Sequence, residues 1–337
     1  MRASVFRVAA GGVLLGVCAG APALAFDDSG ACWPQCSDAD YFLSDVDADA
    51  AAPDETVVLR GSLGIARLEA REKVFWGTSG DDLLSLLVWR STAPIASGDI
   101  KVRFPGEWTL RGRIAAALGG DSKITDYDWM AGYVPELWTH RSIHPDTSLD
   151  WYLDGTLAIG RDLPVNEALS LNVNGGVKYT DVKWTARGGT FIYSVDDFRD
   201  TTGSFPDIAV GDYRLHVPTA FIGLDARVED GPWSLDTSAR AGLAFGAGAT
   251  DNHYLRDLRF KDTLDWAQVV SAEARLGYAF TDNLGAFIEA SYEKLVSGHG
   301  DTHAYDTTTG ALDGVYEGGA GAEFEAMSLT LGLKGNF

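Results

Sequence analysis

Two short pairs of residues in this chain of 337 residues carry the chemistry needed to activate a water molecule. Asp251 and His253 stand two apart in Gly248-Ala249-Thr250-Asp251-Asn252-His253-Tyr254, at the end of a long alternating run. In extended backbone, residues i and i+2 face the same side. The carboxylate can therefore orient the imidazole and stabilise its charged form. Asp126-Tyr127-Asp128 offers a second same-face pair, two carboxylates at the same spacing. Opposed across a cleft, the pairs would form a site able to deprotonate water. Taken singly, either is more often a solvated acidic loop. A cation site is the rival use, because three carboxylates and one imidazole are also a ligand set.

The segments around these pairs set where they work. Residues 1–25 read as an export signal: Arg2 and Arg7, an apolar stretch from Val8 to Ala21, and Ala23-Leu24-Ala25 as a cleavage site. The chain has 27 Lys and Arg against 48 Asp and Glu, and the signal carries two of the basic residues. So acidic a chain argues against a nucleic-acid partner and suits cationic ones. Residues 26–56 form an Asp- and Ala-rich extension, expected to lie in the periplasm. It holds Cys32 and Cys36, a pair for which a local disulfide is plausible outside the cytoplasm.

From residue 57 to 337 strict alternation recurs in hairpins. Val270, Ala272, Ala274, Leu276, Tyr278 and Phe280 run one way, Thr281-Asp282-Asn283 turns, and Leu284, Ala286, Ile288, Ala290 and Tyr292 return. Alternation alone also fits a soluble sandwich. Three features favour a transmembrane barrel. Short turns alternate with long polar connections. Trp108, Trp151, Trp233, Tyr278 and Phe280 fall near strand ends, as interfacial aromatics do. The inward parity carries Arg111, Arg113, Glu273, Arg275 and Glu289, too many charges for a sandwich core. The terminal run Met327, Leu329, Leu331, Leu333, Gly335, Phe337 looks like an outer-membrane assembly signal. The fold expected is all-β: a ten-stranded antiparallel barrel with long extracellular loops, its strands near 57–76, 81–104, 108–118, 148–161, 167–194, 209–229, 233–260, 264–281, 284–305 and 319–337. Both acidic pairs then map to the extracellular end.

From about residue 57 onward the chain resembles the omptin family of outer-membrane endopeptidases. The resemblance rests on Asp126-Tyr127-Asp128-Trp129-Met130, Ser142-Ile143-His144-Pro145-Asp146-Thr147 and Trp184-Thr185-Ala186-Arg187-Gly188-Gly189. Phe198-Arg199-Asp200, Gly203-Ser204-Phe205-Pro206 and Asp251-Asn252-His253-Tyr254 extend it. It implies a monomeric peptidase of a Gram-negative outer membrane, cleaving peptides or proteins near basic residues at the cell surface. It implies Asp126 and Asp128 holding a water, His253 as base, Asp251 as its support, and no catalytic metal or other catalytic cofactor. Among the family's acidic subsite groups, the glutamate of the P1 pocket matches Glu72; its acidic partner is here Ala249, and the aspartate of the P1′ side is here His140. Cleavage at dibasic sites is therefore in doubt, while a basic P1 residue stays the first expectation. The resemblance also implies lipopolysaccharide bound on the outer wall and required for activity, with Lys183, Arg214 and His216 as candidate contacts and Asp181 where the family has an Arg. The alternative function is a non-proteolytic barrel acting as an adhesin or binding protein.

One geometric demand follows. The lipid-facing parity Trp233, Leu235, Thr237, Ala239, Ala241, Leu243, Phe245 would, if unbroken, put Asp251 and His253 outside. A one-residue slip reverses faces, so a β-bulge is expected near Gly246 or Gly248.

Overall fold

Alternating side chains demand a sheet with two unlike faces, and the computed structural model shows how the chain satisfies both. It describes residues 57–76 and 82–337; the export signal, the acidic extension and Cys32 and Cys36 lie outside the described residues. The strands are β1 (Val57–Trp76), β2 (Asp82–Phe104), β3 (Trp108–Ala117), β4 (Asp121–Asp128), β5 (His140–Pro164), β6 (Leu169–Arg187), β7 (Thr190–Tyr193) and β8 (Thr201–Ser204). They continue as β9 (Ala209–Asp230), β10 (Trp233–Ala244), β11 (Gly248–His253), β12 (Leu258–Leu264), β13 (Ala267–Ala279), β14 (Leu284–Asp306) and β15 (Leu312–Asn336). β3 with β4, β10 with β11 and β12 with β13 are each one stave interrupted by a kink, and β7 with β8 is a small hairpin beside β5. Ten antiparallel staves remain, and β1 pairs with β15 from Val58↔Asn336 to Val74↔Ala320 to close the ring. Closure leaves no strand edge in lipid, where an unpaired backbone group has no water to turn to.

The outer wall carries Leu63, Ile65, Ile114, Leu157, Ile159, Val173, Ile222, Leu329 and Leu331, all exposed. Above that belt the outward positions turn polar, at Arg67, Asp121, Lys123 and Arg214. The interior has two unlike parts. Its lower half holds ion pairs: Arg60 and Arg111 each reach Asp99 at 2.6 Å, Arg113 reaches Glu289 at 2.8 Å, and Arg111 and Arg240 each reach Glu273 at 3.2 Å. Above it lies an apolar layer that the charged inward parity of the sequence did not announce. Trp89 stacks on Tyr213 and Trp184 with ring centroids 5.7 and 6.2 Å apart, and Leu68, Leu149, Leu215, Leu295 and Phe324 fill in around them. Truncating so buried an aromatic costs about 3–5 kcal/mol. This layer is a rigid floor for whatever lies above it.

Strand bounds differ from expectation where a kink breaks the alternation. The third stave does not end near residue 118; it runs on through β4, so Asp126 and Asp128 lie on a strand. The fourth begins at His140, the fifth stops at Arg187, and the last begins at Leu312. The cause at the third stave is Gly119-Gly120, both at positive φ, 67° and 92°. Facing β2, Ile95 pairs with Ala117 and Thr92 with Asp121, so three steps on one strand meet four on the other. Parity reverses: Ala115 and Ala117 point inward below, Ser122 and Ile124 above. The bulge expected in the seventh stave has the same form. Thr219 pairs with Ala244 and His216 with Gly248, and Gly246 between them has φ 59°. Beyond it Ala247, Ala249 and Asp251 are buried, with Asp251 5% exposed.

A Cβ on Gly120 would stand 2.3 Å from the carbonyl oxygen of Thr92, at a φ that L residues avoid. Gly120→Ala is therefore expected to cost about 1–3 kcal/mol from the strained backbone alone and to lower activity through β4. Thermal unfolding followed by heat-modifiable gel mobility checks the first, and a peptide-cleavage assay the second; a variant equal to the parent in both is the contrary result.

Candidate active site

The two kinks deliver the predicted pairs to one cleft of about 720 Å³ at the extracellular end, lined by Asp126, Asp128, Asp251 and His253 together with Glu72 and Asp262. β4 and β11 stand on separate arcs of the ring, so the couples enter from different walls. Cross-strand register ties the pocket to the first couple: Glu72 pairs with Leu87, and Leu87 pairs with Asp126.

Each couple has its own support. His253 holds Asp251 through Nε2 at 2.5 Å, and the ring sits edge-on to Phe260 at 5.3 Å. Burial lowers the affinity of His253 for a proton, but the charge and hydrogen bond of Asp251 outweigh it, and the pKa lies above the ordinary imidazole value. Ser85 donates to Asp126 at 3.2 Å. Burial, then the charge of Asp128, pushes Asp126 well above the usual carboxylate range. Burial raises Asp128 as well. The two carboxyl groups act on each other, so they titrate as a pair. The loop after β4 is pinned by Thr139, which donates to the carbonyl of Asp128 at 3.1 Å and accepts from the amide of Met130 at 3.1 Å.

The subsite positions divide. Glu72 is buried, accepts a long hydrogen bond from Trp89 at 3.4 Å, and is pushed well up by burial and by the carboxylates of Asp251 and Asp262. Ala249 is buried on the same wall as Asp251. His140 is the cross-strand partner of Asp128, its ring 4.8 Å from that of Tyr193. Lys183, Arg214 and His216 do meet on the outer wall, in neighbouring register on β6 and β9. They are not a free basic patch. Arg214 is paired with Asp181, Lys183 lies 3.4 Å from Asp212 and 3.8 Å from Asp150, and Trp151 sits beneath both cations.

Several residues escaped the sequence reading. Ser85, Tyr193 and Arg256 line the cleft, and Arg256 adds positive charge near Asp128 and His253. Asp262 stands directly opposite Ala249, a position that the register of the β11–β12 hairpin could have revealed. Ser142 and His144, named above only within a motif, form a buried Ser–His pair at 3.0 Å. His144 bonds the carbonyl of Gly188 at 2.5 Å through its other nitrogen. Among the described residues no cluster fit to hold a metal ion occurs.

The omptin family model matches residues 53–337. The chain belongs to the omptin family. Protease 7 of Escherichia coli (strain K12) is 28% identical over 289 residues, covering 82% of this chain and 89% of the relative. The plasminogen activator of Yersinia pestis is 28% identical over 291 residues, covering 85% and 91%. The crystal structure of the outer membrane protease OmpT from Escherichia coli superposes with TM-score 0.79 at 26% identity, covering 85% of this chain and 98% of that one. This omptin is thus an outer-membrane β-barrel of the Gram-negative type and a peptidase.

Because Asp251 is what lifts His253, Asp251→Asn should move the imidazole pKa downward. A pH titration of the His253 ring by NMR in detergent reads it directly; an unchanged midpoint would mean that the couple is not electrostatically coupled.

Proposed function

We propose that this omptin cleaves extracellular peptides or proteins after a basic residue, using water activated between Asp126–Asp128 and Asp251–His253. The observation that carries the reading is the single cleft into which both kinks turn their couples. One ring nitrogen of His253 is bound to Asp251, which leaves the other to take a proton. Water adds to the scissile carbonyl carbon as His253 takes its proton, and Asp251 stabilises the imidazolium. The proton then passes to the leaving amine nitrogen as the C–N bond breaks. The Asp126–Asp128 pair holds the water, accepting from it through a carboxylate oxygen. No step calls for a metal. Glu72 supplies negative charge at P1. His140 and Arg256 place imidazole and guanidinium groups beside Asp128, where a basic P1′ side chain would want a carboxylate, so dibasic bonds lose their advantage.

The Ser142–His144 pair gives a second reading, a serine nucleophile. It is less well equipped. Burial lowers the pKa of His144, and its other nitrogen meets a backbone carbonyl in place of a carboxylate, so an imidazolium there has no counter-charge. His253→Ala or Asp126→Asn is expected to insert and fold normally yet lose about 10²–10⁴ in turnover, the usual worth of general-base help. Ser142→Ala should keep the larger part of the rate. The reverse pattern, measured on a basic peptide library, transfers the chemistry to Ser142; a parent that cleaves nothing leaves the adhesin or binding reading.

Lipopolysaccharide dependence rests on the resemblance. The outer wall fits phosphate poorly, because Asp150, Asp181 and Asp212 already oppose Lys183 and Arg214. Detergent-purified protein assayed with and without lipopolysaccharide tests it: stimulation lost in a Lys183→Ala, Arg214→Ala double variant supports contact at this patch, and full activity in the lipid's absence removes the requirement. Sedimentation of the same preparation checks the proposed monomer.

A further inference from the structure

Ala249 removes a carboxylate from the pocket wall, and the strand beside it carries one. Asp262 on β12 is the direct antiparallel partner of Ala249 on β11. Directly opposed side chains on one face lie about 4.5–5.5 Å apart at Cβ. A carboxylate at 262 therefore reaches nearly the space that one at 249 would fill, and the small methyl of Ala249 leaves that space open. Asp262 lines the cleft together with Glu72. Thr302 orients it, donating to Oδ1 at 2.7 Å, and a carboxylate has acceptor capacity left after one such bond.

Among the described residues no ion pair reaches Glu72 or Asp262, and the Arg256 guanidinium in the same cleft acts on Asp128 and His253 instead. In the lower barrel the inward carboxylates Asp99, Asp162, Glu273 and Glu289 face Arg or Lys. Burial first, and then the charge of Asp251, holds Asp262 up at about 7, and burial with the charges of Asp251 and Asp262 raises Glu72. Beneath them the Tyr213 hydroxyl is fully buried, feels Glu72, Asp262 and Asp251, and has no hydrogen-bond partner. Buried groups of this kind are costly unless something satisfies them. A guanidinium or ammonium group entering the pocket supplies both the missing charge and the missing donors.

We propose that Asp262 is a specificity-determining residue of the P1 pocket, acting with Glu72 as the second carboxylate that recognises a Lys or Arg side chain. The acid lost from position 249 is thus restored from the neighbouring strand. The inference rests on the peptidase reading above and deepens it.

The test uses the full chain, purified in detergent, and matched peptides that differ only at P1: Arg, Lys or norleucine. Asp262→Asn is nearly isosteric and should lower the Arg-to-norleucine ratio of kcat/KM by roughly tenfold to a hundredfold, the usual worth of a hydrogen bond to a charged group. Most of the loss should appear in KM. Adding Ala249→Asp to Asp262→Asn should restore the ratio, because the carboxylate returns to the same space. The double variant Ala249→Asp, Asp262→Ala gives the same readout should Asp262→Asn alone fail to insert. A high parental ratio that Asp262→Asn leaves untouched, or a loss that Ala249→Asp does not repair, overturns the role of Asp262 and leaves the peptidase reading standing. A parental ratio near one instead removes the acidic pocket itself.

Discussion

The hydrogen-bond ring governs everything else in this molecule. In lipid an unpaired amide or carbonyl has no solvent to pair with, so the sheet must close, and here β1 closes it against β15. Once closed, the ring fixes which face each residue presents, because side chains alternate with period two. A functional side chain of the wrong parity cannot be rotated inward by the backbone alone. The available device is one extra residue on one strand, which reverses the faces above it and leaves the pairing below intact.

Two of the chain's slips, at Gly119-Gly120 and at Gly246, each deliver one couple. The apolar layer around Trp89, Trp184 and Tyr213 gives them a physical meaning. Below the layer, inward charges are neutralised in pairs. Above it, inward carboxylates are left with few cations. The floor separates a region whose charges hold the barrel together from one whose charges line the open cleft. Raised pKa values at Glu72, Asp126, Asp128 and Asp262 are the mark of the second region, and such clusters are common where chemistry is done.

Charge also separates this omptin from the pattern it resembles. On the outer wall Asp181 sits among Lys183, Arg214 and His216 and pairs with Arg214. Inside, Ala249 and His140 stand where acids are expected, while Asp262 and Arg256 bring new charge from β12 and the turn before it. Glu72 stays in the cleft, while His140 and Arg256 set basic groups near Asp128. Position-by-position matching sees only the losses.

Alternation, interfacial aromatics and the terminal Phe337 run determined the barrel, its ten staves and its place in the outer membrane, because period-two patterning is a local property that any sequence window displays. Spacing of two also determined which residues form couples: Asp126 with Asp128, and Asp251 with His253. The parity conflict in the seventh stave was legible, and with it the need for a bulge near Gly246 or Gly248. The matching bulge in the third stave was not, since Leu118-Gly119-Gly120 reads as the end of a strand until its partners on β2 are known. Only tertiary structure decided what lies across from what. Asp181 neutralises Arg214, and Glu72 comes under the charges of Asp251 and Asp262, because cross-strand register and ring closure bring together residues whose separation in the chain carries no signal.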